Sequence, residues 1–155
     1  MATKLSAGIL LHRTRDGRVE VLLAHPGGPF HAAREHGNWS IPKGEPADGE
    51  DLEAAALREF REETGTLPAG PRVPLGSIRQ KGGKVVTAWA VEGDLDPASA
   101  RSNEFEMEWP PGSGRRQSFP EVDRVAWFSA SEARTRVTPG QAELLDRLDE
   151  ALADR

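Results

Sequence analysis

The sequence predicts an α+β fold, a mixed β-sheet packed by helices. Short β-prone runs come in pairs around glycine turns at 16–17 and 81–83. A run of strong helix formers at 51–64 stops at Gly65, and a second helical pattern closes the chain. Strand pairs and helices in this order read as α+β rather than as an all-helical or all-strand chain. A length of 155 residues suits one compact domain with a true core and is short for two, so a single domain is expected over 1–155.

Leu5 to His12 and Val19 to His25 form the first pair, with Asp16-Gly17 as its turn. Pro26 to Asn38 is rich in Gly, Pro and His without periodicity, which marks a long loop of the kind that tends to carry function. Residues 51–64, DLEAAALREFREET, make the clearest helix, and Gly65 is its expected left-handed cap. Val73 to Gln80 and Lys84 to Glu92 flank Lys81-Gly82-Gly83 as a second hairpin. Asn103 to Trp109 alternates strictly, with Glu104, Glu106 and Glu108 on one face of a strand and Phe105, Met107 and Trp109 on the other. A Pro- and Gly-rich loop at 110–114 follows, then a last strand at Arg124 to Phe128 and a helical turn at Ser131-Glu-Ala-Arg. Thr138-Pro139 opens the final helix, with Gln141 completing a capping box. No internal repeat or low-complexity linker is present.

Twenty Lys and Arg against 25 Asp and Glu leave a net charge of -5, which argues against a general nucleic-acid binder relying on phosphate neutralisation. The absence of cysteine excludes disulfides, thiolate catalysis and cysteine-ligated zinc, and fits a cytoplasmic location. The apolar run in MATKLSAGILLHR is too short for a secretory leader, and no segment is long enough to span a bilayer, so no membrane partner is expected. A homodimer is neither required nor excluded.

At about 100° per residue, Leu52, Ala55, Ala56, Glu59, Glu62 and Glu63 share one side of the 51–64 helix. Three carboxylates spaced three and four apart repel one another, and beside apolar residues their charge is costly unless paired or metal-bound. A hard cation resolves both problems: Mg²⁺, for which Mn²⁺ can substitute, takes carboxylate oxygens and bridges to phosphates, whereas zinc would want His or Cys. Arg58, four residues before Glu62, can hold that carboxylate, and Leu57 and Phe60 occupy another arc. A salt-bridged surface helix would show a similar charge pattern. The surroundings favour chemistry.

Gly44, Glu50, Arg58, Glu59, Glu62, Glu63 and Gly65 stand in the spacing G-x5-E-x7-R-E-U-x-E-E-x-G-U, which resembles the Nudix box, and Trp39-Ser40-Ile41-Pro42-Lys43 resembles its entry. Phe60 and Thr66 depart from the usual aliphatic residues, both at packing positions. The resemblance implies an α/β/α sandwich with a mixed central sheet, and hydrolysis of a diphosphate linkage in a nucleotide-like substrate. It implies Glu59 and Glu63 as main metal ligands, Glu62 as a further ligand or positioning group, and the Gly44 carbonyl as an added oxygen. In that family the base is often a glutamate outside or at the edge of the box. The strand at 103–109 supplies Glu104, Glu106 or Glu108 for that role, unless its acidic face is merely solvated.

Lys43, Lys81 and Lys84 can grip polyphosphate oxygens as point charges, although hairpin lysines also serve solubility. Trp39 suits either base stacking or a core plug. His25, His31 and His36 fall in or beside the long loop without metal-ligand spacing. A non-catalytic Nudix-fold binding module would be favoured by loss of a box glutamate, and none is lost. Dinucleoside polyphosphates, ordinary or oxidised nucleoside triphosphates, ADP-ribose-like sugars and inositol pyrophosphates all remain as substrates. The stretch Leu75 to Val85 lacks proline and the chain has no tyrosine, so neither the ADP-ribose nor the dinucleoside-polyphosphate branch is marked. WSIPKGE looks closer to polyphosphate hydrolases.

Overall fold

The computed structural model describes residues 4–80 and 82–154. Among the described residues there are eight strands and three α-helices: β1 Leu5–Arg15, β2 Arg18–Pro26, β3 Lys43–Gly44, α1 Leu52–Thr64, β4 Arg72–Arg79, β5 Val85–Glu92, β6 Glu104–Glu108, β7 Arg116–Pro120, β8 Val122–Ser129, α2 Ala130–Arg136 and α3 Ala142–Ala153. The main sheet has the order β4-β5-β1-β2-β8, with β3 paired to β1. The β1–β5 pair is parallel and the other strand pairs of the described residues are antiparallel, so the sheet is mixed, and β6 and β7 form a separate two-stranded hairpin.

The turn between β1 and β2 is the one expected. Asp16 and Gly17 have φ of 52° and 78°, the double positive φ that a two-residue turn needs when it matches strand twist. β1 is buried from Ser6 to His12 because both of its faces are covered. On one face Ala7, Ile9, Leu11, Leu22 and Ala24 meet Ala55, Ala56 and Phe60 of α1. On the other Leu10, Val21 and Leu23 share a layer with Ala133 of α2 and Leu144, Leu145 and Leu148 of α3. The result is the expected α/β/α sandwich. Phe60 is fully buried in the α1 layer, where small neighbours leave room for an aromatic ring, and the second departure, Thr66, donates its backbone N–H to Thr64 Oγ1.

Three features differ from expectation. β3 is only two residues long, too short to leave a period, and β7 carries too few apolar residues to mark a strand. The capping box at the last helix does not form: α3 begins after Gln141, whose side chain makes no cap. Its amide is instead buried, accepting from Ile41 N and donating to Ser40 Oγ and Gln80 Oε1, while Thr138 Oγ1 donates to the Trp39 carbonyl. Tertiary partners outcompeted the local cap.

Candidate functional site

The segment before α1 and the helix itself are bound into one unit. Asp51 caps α1 by accepting from Ala54 N, and Gly65 closes it with φ of 81°. Arg58 then uses all five of its N–H donors. Nε and Nη2 grip both oxygens of Glu50 at 2.9 Å, Nη2 also reaches the Glu45 carbonyl, and Nη1 donates to Glu59 and Glu62 at 3.0 Å each. Such a fork is geometry that lysine cannot reproduce. Glu50 also accepts from Ala47 N, and with the guanidinium beside it its carboxyl is held down at about 2. Arg58 therefore pairs with Glu62 as expected, but its firmest contact is Glu50.

Glu59 and Glu63 lie on the side of α1 that faces β3, and Glu62 turns to Arg58. The Glu59 carboxylate packs directly against Gly44, in the space a Cβ at that position would take. Burial, with the charge of Glu59 added, pushes the Glu63 carboxyl up to about 8. Burial also raises Glu59, against the opposing pull of Arg58. Lys43 is lowered by burial and then by Lys84, so those two lysines stand close enough to feel each other, with the carboxylates of Glu63 and Glu59 opposing the shift. Glu63 lines two adjoining clefts of about 220 Å³ each, one shared with Lys43 and Glu121, the other with Ser102, Asp123 and Arg124.

Glu121 was not among the sequence candidates. Glu121 is exposed overall, yet partial desolvation on the cleft wall and the charge of Glu62 raise its carboxyl, and it in turn raises Glu59 and Glu63, so it belongs to the same acidic group. Backbone bonds place it: Glu121 N donates to Asn103 O, whose own N–H donates to Glu62 O at the end of α1, and Gly27 N donates to Glu121 O. Gly27 fits only because it lacks a Cβ, which would overlap the Pro120 carbonyl. These ties join residues far apart in the chain, and the only local sign was an acidic residue between two short strands.

The other candidates fall as follows. Glu104, Glu106 and Glu108 are all exposed on β6, and Glu106 lies 3.9 Å from Arg116, so their face is the solvated one. Trp39 is 2% exposed, with His25 and Phe128 packed edge-on against its ring, and the core reading replaces the stacking one. Lys81 lies outside the described residues. Lys84 stands near enough for its charge to lower Lys43. His25 is buried between Asp123 and the Arg34 carbonyl, so its ring nitrogens are both engaged.

The residues fit a hard divalent cation in donor chemistry. Glu59, Glu62, Glu63 and Glu121 offer oxygen alone, and Glu63 is a buried carboxylate whose charge lacks a full counterion. Among the described residues no three acidic or histidine side chains form a ready-made metal cage. Arg58 Nη1 instead bonds the carboxylates of both Glu59 and Glu62. An ion that keeps several waters needs few protein ligands, so the partial site is compatible with Mg²⁺.

Comparison with known proteins agrees with the geometry. An RNA pyrophosphohydrolase from Caulobacter vibrioides is 44% identical over 59 residues, covering 35% of this chain and 34% of the relative, so the match spans about a third of that protein. Among solved structures, a C. elegans Ap4A hydrolase binary complex superposes with a TM-score of 0.69 at 22% identity, over 97% of this chain and 99% of that one. The NUDIX domain of Shewanella oneidensis NrtR complexed with ADP ribose gives 0.68 at 18% identity, over 98% and 90%. At these identities the superpositions speak for the fold. The NUDIX domain profile matches residues 2–148, nearly the whole chain, and the chain belongs to the Nudix family.

Proposed function

We propose that this protein is a Mg²⁺-dependent pyrophosphohydrolase acting on a nucleotide-like diphosphate. The observation that carries the reading is the acidic group around buried Glu63, which shares one cleft with Glu121 and Lys43 and has the half-buried Glu59 and Glu62 beside it on α1. Every box carboxylate is present, which favours catalysis over a binding module. The bound cation would neutralise phosphate charge and lower the pKa of a bound water. Glu59 and Glu63 would hold it, with Glu62 and the Gly44 carbonyl as further oxygens. Lys43 and Lys84 would position phosphate oxygens as point charges. Arg58 orders Glu59, Glu62 and the 45–50 segment, so its role is positioning. Glu121, which lines the cleft beside Glu63 and is tied to α1 through Asn103, is the best-placed group to accept the proton of the attacking water. The relatives' names, an RNA pyrophosphohydrolase and an Ap4A hydrolase, support a nucleoside diphosphate as the core of the substrate.

The test is a panel of nucleoside triphosphates, dinucleoside polyphosphates, nucleotide sugars and inositol pyrophosphates, with phosphate products followed after phosphatase coupling. At least one should be cleaved in Mg²⁺ or Mn²⁺, and none in excess chelator. Turnover that survives the chelator would refute the metal-dependent reading.

A further inference from the structure

We infer that Asn38 reads the edge of a nucleobase held in the cleft beside Glu63 and Glu121; this rests on the hydrolase reading above and names the group its substrate carries. Asn38 is 9% exposed, and both polar atoms of its carboxamide are buried without a hydrogen-bond partner. Buried amides are almost always paired, so an unpaired one calls for an explanation. Ser6, His31, Trp39 and Arg136 also carry a buried unpartnered atom among the described residues, but Asn38 is the one of these that lines this cleft.

The surroundings specify the ligand. Lys43, Glu63 and Glu121 make the charged part of the lining, and Ala24, Pro26, Ile41 and Val122 are apolar. A phosphate offers acceptors only, so it could occupy Nδ2 but would leave Oδ1 unmet. A base edge presents a donor beside an acceptor, which matches a carboxamide in both positions, and its flat faces suit apolar walls. The side chain is also carried on a fixed backbone. Gly37 N donates to Thr135 O, Trp39 N to Arg136 O and Ser40 N to Ala24 O, so the residues around Asn38 are anchored to α2 and β2. An amide held in place loses little freedom on binding.

The experiment measures binding rather than turnover. Calorimetry in Mg²⁺ would compare an α,β-methylene nucleoside triphosphate with methylenediphosphonate, which lacks base and sugar, for the wild type and Asn38→Leu. The substitution should weaken the nucleotide analogue about 10- to 100-fold, as expected for a bidentate base contact, and shift the base-free compound by less than about twofold. Across adenine, guanine, cytosine and uracil analogues, the wild type's preference should flatten in the variant. Equal losses on both compounds would make Asn38 a phosphate or structural residue. No loss would mean that water satisfies the amide, and no nucleotide binding by the wild type would also overturn the inference. Asn38→Ala gives the same contrast if the leucine variant does not fold. Asn38-dependent binding without cleavage of any panel member would uphold the base contact and refute the hydrolase reading instead.

Discussion

Glu63 is the residue on which electrostatics and chemistry meet. Its carboxyl is pushed to about 8 by burial and by Glu59, far above its ordinary 4.5, so the metal-free folded protein binds a proton there that the unfolded chain has lost. A raised acid pKa makes the folded state the better proton binder in that window. Stability of the chelated protein should therefore fall as pH rises from about 4.5 to 8, and Glu63→Gln should flatten that part of a thermal-melting pH series. A slope unchanged in the variant would place the proton elsewhere. Cation binding should release protons in the same window, visible as a calorimetric enthalpy that changes with buffer ionisation. Glu121 carries a second prediction. Glu121→Gln should lower kcat by about 10²- to 10⁴-fold, whereas Glu104→Gln, Glu106→Gln and Glu108→Gln, which line neither cleft beside Glu63, should stay near wild type. A large loss confined to one of the β6 variants would return the base to that strand.

At the scale of elements, the site was legible where signals are local and hidden where they are tertiary. Helix α1 announces itself through helix formers, Asp51 and Gly65, and its carboxylates follow from the helical period. β3 left no period, yet it brings Gly44 against Glu59. Glu121 could not be read because its position depends on Gly27 and Asn103, distant in sequence. Trp39 left two readings open and Gln141 was read as part of a cap for the same reason: their partners, His25 of β2 and Phe128 of β8 for one and Ser40, Ile41 and Gln80 for the other, are distant in sequence. The close packing of these elements gives a third prediction. Gly27→Ala must push the 120–121 backbone away, so activity should drop by at least about tenfold, with a lower melting temperature. Near-normal activity would show that Glu121 need not sit where Gly27 holds it. Arg58→Lys, which forfeits the fork onto Glu50, should cost turnover through disorder of Glu59 and Glu62, read as a raised Mg²⁺ requirement.

For the molecule as a whole, the sandwich serves to make one edge rigid. Two layers of apolar side chains clamp β1 and β2, and the site gathers on the α1 side from β3, the 26–38 loop, α1 and the β7–β8 junction. The mixed sheet and its helices could be predicted because hairpin turns and helix caps are written in short stretches, whereas the order of strands and the separation of β6–β7 depend on long-range pairing. The central claim is that Glu63 turns this edge into a metal-dependent diphosphate-cleaving site. The measurement that tests it most directly is steady-state turnover of the best panel substrate by the wild type and Glu63→Gln across a Mg²⁺ titration, with melting curves to confirm folding. The account predicts a folded variant whose kcat is lower by orders of magnitude, with no rescue by added Mg²⁺; near-normal turnover at ordinary Mg²⁺ would contradict it.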